Sequence, residues 1–529
     1  MKPIAPDGLD ALAAGGAEWA LLDVRDAWEA DRAHILGASF LPRRVIETRV
    51  GTLVHDRGTP VVVYDEGGDR AQRAAETLER LGYRDARVLA GGTAAWLASG
   101  RRLVSGTNVP SKIFGEQVGE HDHVPHVPPA TLAAWQREGR RHLVCDIRTP
   151  DEYAASRIPG ARGAFGVDLA LLAADLRARG ETIVVHCAGR TRSIIACQTL
   201  RALGVGDVHA LENGTMGWQL AGYGLERDAP GGMLAPSAAS AAAGEASART
   251  LARGAAVEEI TAAELERQLA ARAAGGLNLY VFDVRQLPEY VAGHVAGAVA
   301  VPGGLLIQRT DEFAPVRAAR VVLIDDREAR ALLTGYWLRR MGFPNVAVLA
   351  GGLAAWRESG RAVAAGRGRE RALGLDEARA LVRSVPPEAL AAASQALVLD
   401  VDTSAFFRKA RVPGAVWMPY GWLETRIGVR ANTKDVPIVV TCRNGLYSTF
   451  AGANLARLGY RDVGVLEGGL AAWEAAGQPV ETGWPAELGP PQDVVVPPYR
   501  AGPEAMASYL AWELKLTADP YAAGRPSPQ

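Results

Sequence analysis

The sequence predicts an α/β protein built from four tandem copies of one module, each a small, doubly wound unit with a parallel sheet. Three observations carry this. First, "LAGGTAAWLASG" (89–100), "LENGTMGWQLAG" (211–222), "LAGGLAAWRESG" (349–360) and "LEGGLAAWEAAG" (466–477) are versions of one segment. Second, an upstream segment recurs as "LLDVRDAWEADRAHILGA", "VCDIRTPDEYAASRIPGA", "VFDVRQLPEYVAGHVAGA" and "VLDVDTSAFFRKARVPGA". From its aspartate to the later tryptophan the intervals are 73, 72, 73 and 73 residues (Asp23 to Trp96, Asp146 to Trp218, Asp283 to Trp356, Asp400 to Trp473). Third, each copy places a short apolar run between these landmarks: "PVVVY", "IVVH", "VVLI" and "IVVT". Self-similarity at a fixed period marks a repeat architecture.

Each element of the copy has a local reason. Continuous β-branched runs suit strands buried on both faces of a parallel sheet. A helical pattern follows each run and stops at Gly82, Gly204, Gly342 or Gly459, each 17 residues past the residue that ends the strand, where a helix C-terminal glycine belongs. Strand, helix, strand is a βαβ unit. The copies are predicted at 1–105, 106–228, 250–365 and 366–482, joined by a linker at 229–249 and followed by a tail at 483–529. The linker, "APGGMLAPSAASAAAGEASAR", has the composition of a flexible connector and is taken as the main division. Residues 105–129 are richer in apolar groups and are expected to strap the first two copies together. The tail contains a helical stretch, "EAMASYLAWELKL", expected to lie across a neighbouring copy.

Composition bounds the function. The 529 residues carry a formal charge of -1, which excludes the broad positive field that nucleic acid or an anionic membrane surface would need. No stretch approaches ~20 consecutive apolar residues, and the acidic opening does not suit a secretory signal, so a cytoplasmic protein is expected. The four cysteines, Cys145, Cys187, Cys197 and Cys442, form no CxxC pair, which excludes a cysteine-based zinc ribbon.

Ligands of open α/β sheets gather at the carboxyl ends of the strands. The copies place Asp65, Cys187, Asp325 and Cys442 there. A cysteine at a helix N-terminus meets unpaired amides and the positive end of the macrodipole, which lower its pKa and favour the nucleophilic thiolate. After Cys187 come Ala188, Gly189, Arg190, Thr191, Arg192 and Ser193; after Cys442 come Arg443, Asn444, Gly445, Leu446, Tyr447 and Ser448. A glycine in each loop lets amides converge on an anionic sulfur, and arginine recruits an anionic donor.

With "VVHCAGRTRS", "VVTCRNGLYS", the "DVR…E…G.IPGA" segment and the "L.GG..AW...G" ending in register, the chain resembles four tandem rhodanese domains over most of residues 5–480. The resemblance implies a sulfurtransferase whose cysteine cycles between thiol and persulfide, without cofactor or metal. The donor would be thiosulfate or 3-mercaptopyruvate, the arginine-bearing loops favouring a thiosulfate-like anion; the acceptor would be cyanide or a thiol, a sulfur-accepting protein included. It also implies that the two aspartate copies are inert and that inactive and active copies pair, one with two and three with four. A phosphatase needs a Cys-x5-Arg cradle, and Arg192 falls one position short of it. A non-catalytic sulfur carrier or protein-binding scaffold is the other class of function that aspartate copies allow.

Other features have plainer readings. Cys145 and Cys197 suit core packing, as do the recurrent tryptophans. His121, His123 and His126 suit a solvated segment better than a metal site. Arg148 follows the strand aspartate and is expected either to pair with a nearby acid such as Glu152 or to stand at the rim of the active site; its counterpart in copy four is Asp402.

Overall fold

The structure, a computed structural model, describes residues 2–227, 232–368, 372–392 and 395–518. Every copy forms a five-stranded sheet in the order 1-5-4-2-3, and its strands run parallel. The β-branched runs are the central strands Val61–Tyr64, Thr182–His186, Arg320–Ile324 and Ile438–Thr441, in which every residue but Arg320 is buried. The helices Arg70–Arg80, Thr191–Ala202, Ala329–Arg340 and Leu446–Arg457 follow them. Just beyond these helices, Gly82, Gly204, Gly342 and Gly459 have φ of 91°, 87°, 85° and 90°, the left-handed conformation that closes a helix without a Cβ penalty.

The recurrent tryptophans are core anchors. Trp96, Trp218, Trp356 and Trp473 are buried, and each indole donates to a carbonyl six residues on: Arg102, Gly224, Ala362 and Pro479, at 2.9, 2.8, 2.9 and 2.7 Å. Each ring thereby fixes the chain as it leaves the module. Cys145 lies in a strand and Cys197 in a helix, both fully buried.

The copies pair differently from the expected order. One compact unit comprises Met1–Thr107 and Arg369–Val495, hence copies one and four; the other comprises Asn108–Gly368 and Val496–Gln529, hence copies two and three. Each unit still joins an aspartate copy to a cysteine copy. In the first unit, the buried Arg43 of copy one makes a bidentate ion pair with Glu424 of copy four, at 2.8 and 3.2 Å. The Tyr420 hydroxyl donates to Glu47 at 3.0 Å. Pairs so far apart in sequence leave no local mark.

In the second unit the predicted linker is largely a helix, Ala238–Gly254; residues 229–231 of the linker lie outside the described residues. Ser237 caps it, accepting the Ser240 amide at 3.1 Å. It packs against the helices Leu169–Arg179 and Ala329–Arg340, one from each copy. The composition misled because alanine is both the smallest interior residue and the best helix former. A Cβ on Gly244 would come within 2.0 Å of the Ala170 carbonyl, so the small residues permit a close backbone approach. The segment expected to strap copies one and two is instead a helix, Val109–His121, packed on Thr191–Ala202 of copy two. Among the described residues, no helix is long and apolar enough to cross a membrane.

Candidate active site

Cys187 and Cys442 directly follow central strands and open loops that lead into helices, and both thiols are buried. The Ser448 amide donates to Cys442 Sγ at 3.3 Å, and the Ser448 hydroxyl stands 3.3 Å from the same sulfur. In the other loop the Cys187 thiol faces Ser193 Oγ at 3.6 Å, and Ser193 donates onward to the Arg190 carbonyl at 2.7 Å. The recurrent glycine segment is the buttress of both loops. Thr215 and Met216 amides donate to the Cys187 and Ala188 carbonyls at 2.9 and 3.0 Å; Leu470 and Ala471 amides donate to Cys442 and Arg443 at 2.8 and 3.0 Å. A Cβ on Gly214 or Gly469 would lie 2.3 or 2.2 Å from the cysteine carbonyl. The repeat exposed these glycines in the sequence, but not their role beneath the loop.

The aspartate copies fill the same place differently. Asp65 accepts amide protons from Gly67, Gly68 and Ala71 at 2.8, 3.1 and 3.1 Å. Asp325 accepts from the Asp326 and Arg330 amides at 2.7 and 2.8 Å, and from Arg330 Nε at 2.8 Å. Ala71 and Ser448 both stand six residues after the strand-end residue. The nest of amides is therefore an anion site, and in copies one and three the chain's own carboxylate occupies it.

The predicted arginines are mostly engaged. Arg190 forks onto Glu116, both bonds 2.7 Å, and reaches Asn213 at 3.2 Å. Arg192 forks onto Glu152 at 2.8 and 2.9 Å. Burial disfavours the charged Glu152, yet Arg192 and the Thr149 amide hold its pKa down at about 2. Arg148 grips Asp146, not Glu152, with bonds of 2.9 and 2.7 Å, and is buried. Arg190 and Arg192 are therefore charge-compensated, and Arg148 is a brace. In the second loop Arg443 is exposed, its guanidinium 5.1 Å from the Phe406 ring centre, with no ion pair among the described residues. Asn444 accepts the Leu446 amide at 3.2 Å, while Leu446 and Tyr447 pack against the core of copy four.

Two further elements join the sites; the tail helix was expected across a neighbouring copy, but its seat on the Cys187 loop and the role of Asp402 were not. The tail helix Pro503–Glu513 lies on the Cys187 loop: Met506 and Leu510 pack on Met216, and Thr191 donates to Glu513 Oε1 at 2.8 Å. In copy four Asp402 accepts the Arg443 amide at 2.6 Å. Burial pushes the Cys442 thiol above its ordinary value, partly offset by Ser448, so the depression expected from the helix N-terminus is not found there. Cys145 and Cys197 are pushed up to about 12 by burial. A cavity of about 340 Å³ adjoins the Cys187 loop, lined by Thr191, Arg192, Phe165, Leu305 and Trp337.

The chain matches the rhodanese-like domain family at residues 6–99, 128–221, 261–359 and 386–476. A solved thiosulfate sulfurtransferase from Pseudomonas aeruginosa is similar over 100% of this chain and 99% of its own, at 34% identity and a TM-score of 0.89. A sulfurtransferase of Allochromatium vinosum is 33% identical over 91 residues, 17% of this chain and 83% of that protein. The probable adenylyltransferase/sulfurtransferase MoeZ of Mycobacterium tuberculosis is 36% identical over 81 residues, 15% of this chain; the match spans only 21% of that relative's length.

Proposed function

The chain belongs to the rhodanese family, and from that membership we propose that it is a sulfurtransferase acting through persulfides on Cys187 and Cys442. One observation carries the assignment of the reacting atom. Just past a central strand, Cys442 Sγ takes the Ser448 amide at 3.3 Å, where in copy one the Asp65 carboxylate takes the matching amide of Ala71.

The cysteine thiolate attacks the outer sulfur of thiosulfate or a related sulfane donor. The donor's S–S bond breaks, its electron pair leaves with sulfite, and the enzyme holds Cys–S–S⁻. The loop amides stabilise that terminal anion. Cyanide or a thiolate then attacks the outer sulfur, giving thiocyanate or a new persulfide, and the cysteine thiolate returns. Ser193 and Ser448 orient the thiols, and the glycine segment keeps each loop closed beneath them. Exposed Arg443 is the group free to meet a donor's oxyanion at the second site. Copies one and three take no part, because Asp65 and Asp325 hold their own nests.

Thiosulfate treatment followed by mass spectrometry of the native chain, Cys187→Ser and Cys442→Ser tests this. A reducible adduct of about 32 Da, one sulfur atom, is expected on each cysteine and lost only with its own substitution. Absence of the adduct from both cysteines overturns the proposal.

A further inference from the structure

Copies one to three share a brace that copy four lacks. Asp23, Asp146 and Asp283 are each gripped through two bonds by the arginine two residues on: Arg25 at 2.9 and 2.6 Å, Arg148 at 2.9 and 2.7 Å, Arg285 at 2.8 and 2.6 Å. In copy four that arginine is Asp402. Its amide still donates to Asp400 at 3.0 Å, so the turn is kept, but the side chain goes elsewhere. It swings to the active loop, where Oδ2 accepts the amide of Arg443, the residue after Cys442, at 2.6 Å. Asp402 is 8% exposed and is the charged group that acts most on the Cys442 thiol. Arg44 and Arg443 are the cations that oppose it. The first thiol lacks that carboxylate: Arg148, paired with Asp146, stands where Asp402 would, and Arg192, paired with Glu152, is close enough to interact with Cys187.

We infer that Asp402 sets donor preference at Cys442, slowing that thiol toward anionic sulfur donors relative to donors uncharged at the transferable sulfur. A hydrodisulfide, R–S–SH, is such a donor. Cys442–S⁻ attacks the outer sulfur, the donor's S–S bond breaks, R–S⁻ departs with the electron pair, and Cys442–S–SH forms with the proton still on the outer sulfur. Cys187 is then the faster of the two thiols toward dianionic donors. This inference rests on both thiols being the nucleophiles of the proposed reaction, but its test does not require sulfur.

Alkylation of the full chain with neutral iodoacetamide and anionic iodoacetate, read by peptide mass spectrometry, gives a neutral-to-anionic rate ratio for each cysteine. The ratio at Cys442 is expected to exceed that at Cys187 by about tenfold, the effect of one partly buried charge several Å away. Asp402→Asn should remove most of that excess while the Cys187 ratio stays fixed. Ser448→Ala, which disturbs the thiol without changing charge, should alter both Cys442 rates together and leave their ratio. Equal ratios at the two cysteines in the native chain overturn the inference, as does an Asp402→Asn ratio that does not move. If the ratios behave as expected and thiosulfate loads neither cysteine, the charge assignment stands and the sulfurtransferase reading falls.

Discussion

The amide of Gly67 donates to Asp65 Oδ1 at 2.8 Å, at the position where copies two and four carry their thiols. With Gly68 and Ala71 it makes three bonds to one buried carboxylate. Burial raises the Asp65 pKa and the amides oppose the rise, so the site is a structural anion hole filled from within. Asp65→Ala orphans these donors and is expected to cost the first unit about 2–3 kcal/mol, the usual penalty for unsatisfied buried polar groups. Urea denaturation measures this. Thiosulfate loading of Cys187 and Cys442 in native buffer should not change.

Much of this was legible because it repeats. The strand-end position, the helix-closing glycines and the tryptophan anchors each stand in four registered copies, so chance likeness cancels. What the sequence concealed depends on partners far along the chain. Arg43 and Glu424 are separated by nearly four hundred positions, and nothing near either one signals the pairing of copies one and four. Arg190 and Arg192 looked available for a donor because Glu116 lies on a helix in the stretch expected to be a strap, and Glu152 had been assigned to Arg148. The alanine-rich linker failed for another reason: small residues signal flexibility only where no surface waits to be approached closely.

Asp400 gives the first unit a pH dependence. Without the arginine its counterparts have, burial pushes its pKa up to about 7, against 3.8 ordinarily. The folded chain therefore keeps a proton that the unfolded chain releases. The stability this contributes is fully present below about pH 4 and is lost as pH rises to about 7. Asp400→Asn should remove a pH-linked change on the order of 4 kcal/mol. Urea midpoints of the native chain and the variant at pH 5 and pH 8 measure it: the variant should lose relatively more at pH 5. Equal losses at both pH values would contradict the assignment.

Cys442 should titrate late. Its thiol sits above the ordinary value of 9.0 because it is buried, with Ser448 pulling the other way. Iodoacetamide labelling of Cys442 should still be accelerating as pH passes 9.0. Ser448→Ala removes the hydroxyl at 3.3 Å and should move the profile further alkaline, slowing labelling at pH 8 about fivefold. Cys145 and Cys197, pushed up to about 12, should remain unlabelled near neutral pH without denaturant.

The two loop glycines should respond to alanine in different ways. Gly445 has φ of 85°, which an L-residue adopts only with strain, so Gly445→Ala should cost about 1–2 kcal/mol and slow Cys442 alkylation as the loop shifts. Gly189 has no left-handed φ; the space above it is what requires glycine. A Cβ there would meet Met216 Cε at 3.0 Å, Glu513 Oε2 at 3.4 Å and the Tyr509 ring at 3.6 Å. Glu513 is buried, and two of these three contacts, Glu513 and Tyr509, are side chains of the helix Pro503–Glu513. Gly189→Ala should therefore leave the Cys187 loop folded and lift the helix Pro503–Glu513 from its seat. Hydrogen exchange of amides 503–513 should accelerate at least tenfold while that of the strand Thr182–His186 holds. The opposite pattern, a loosened strand under an unmoved helix, would show that Gly189 is there for the backbone after all.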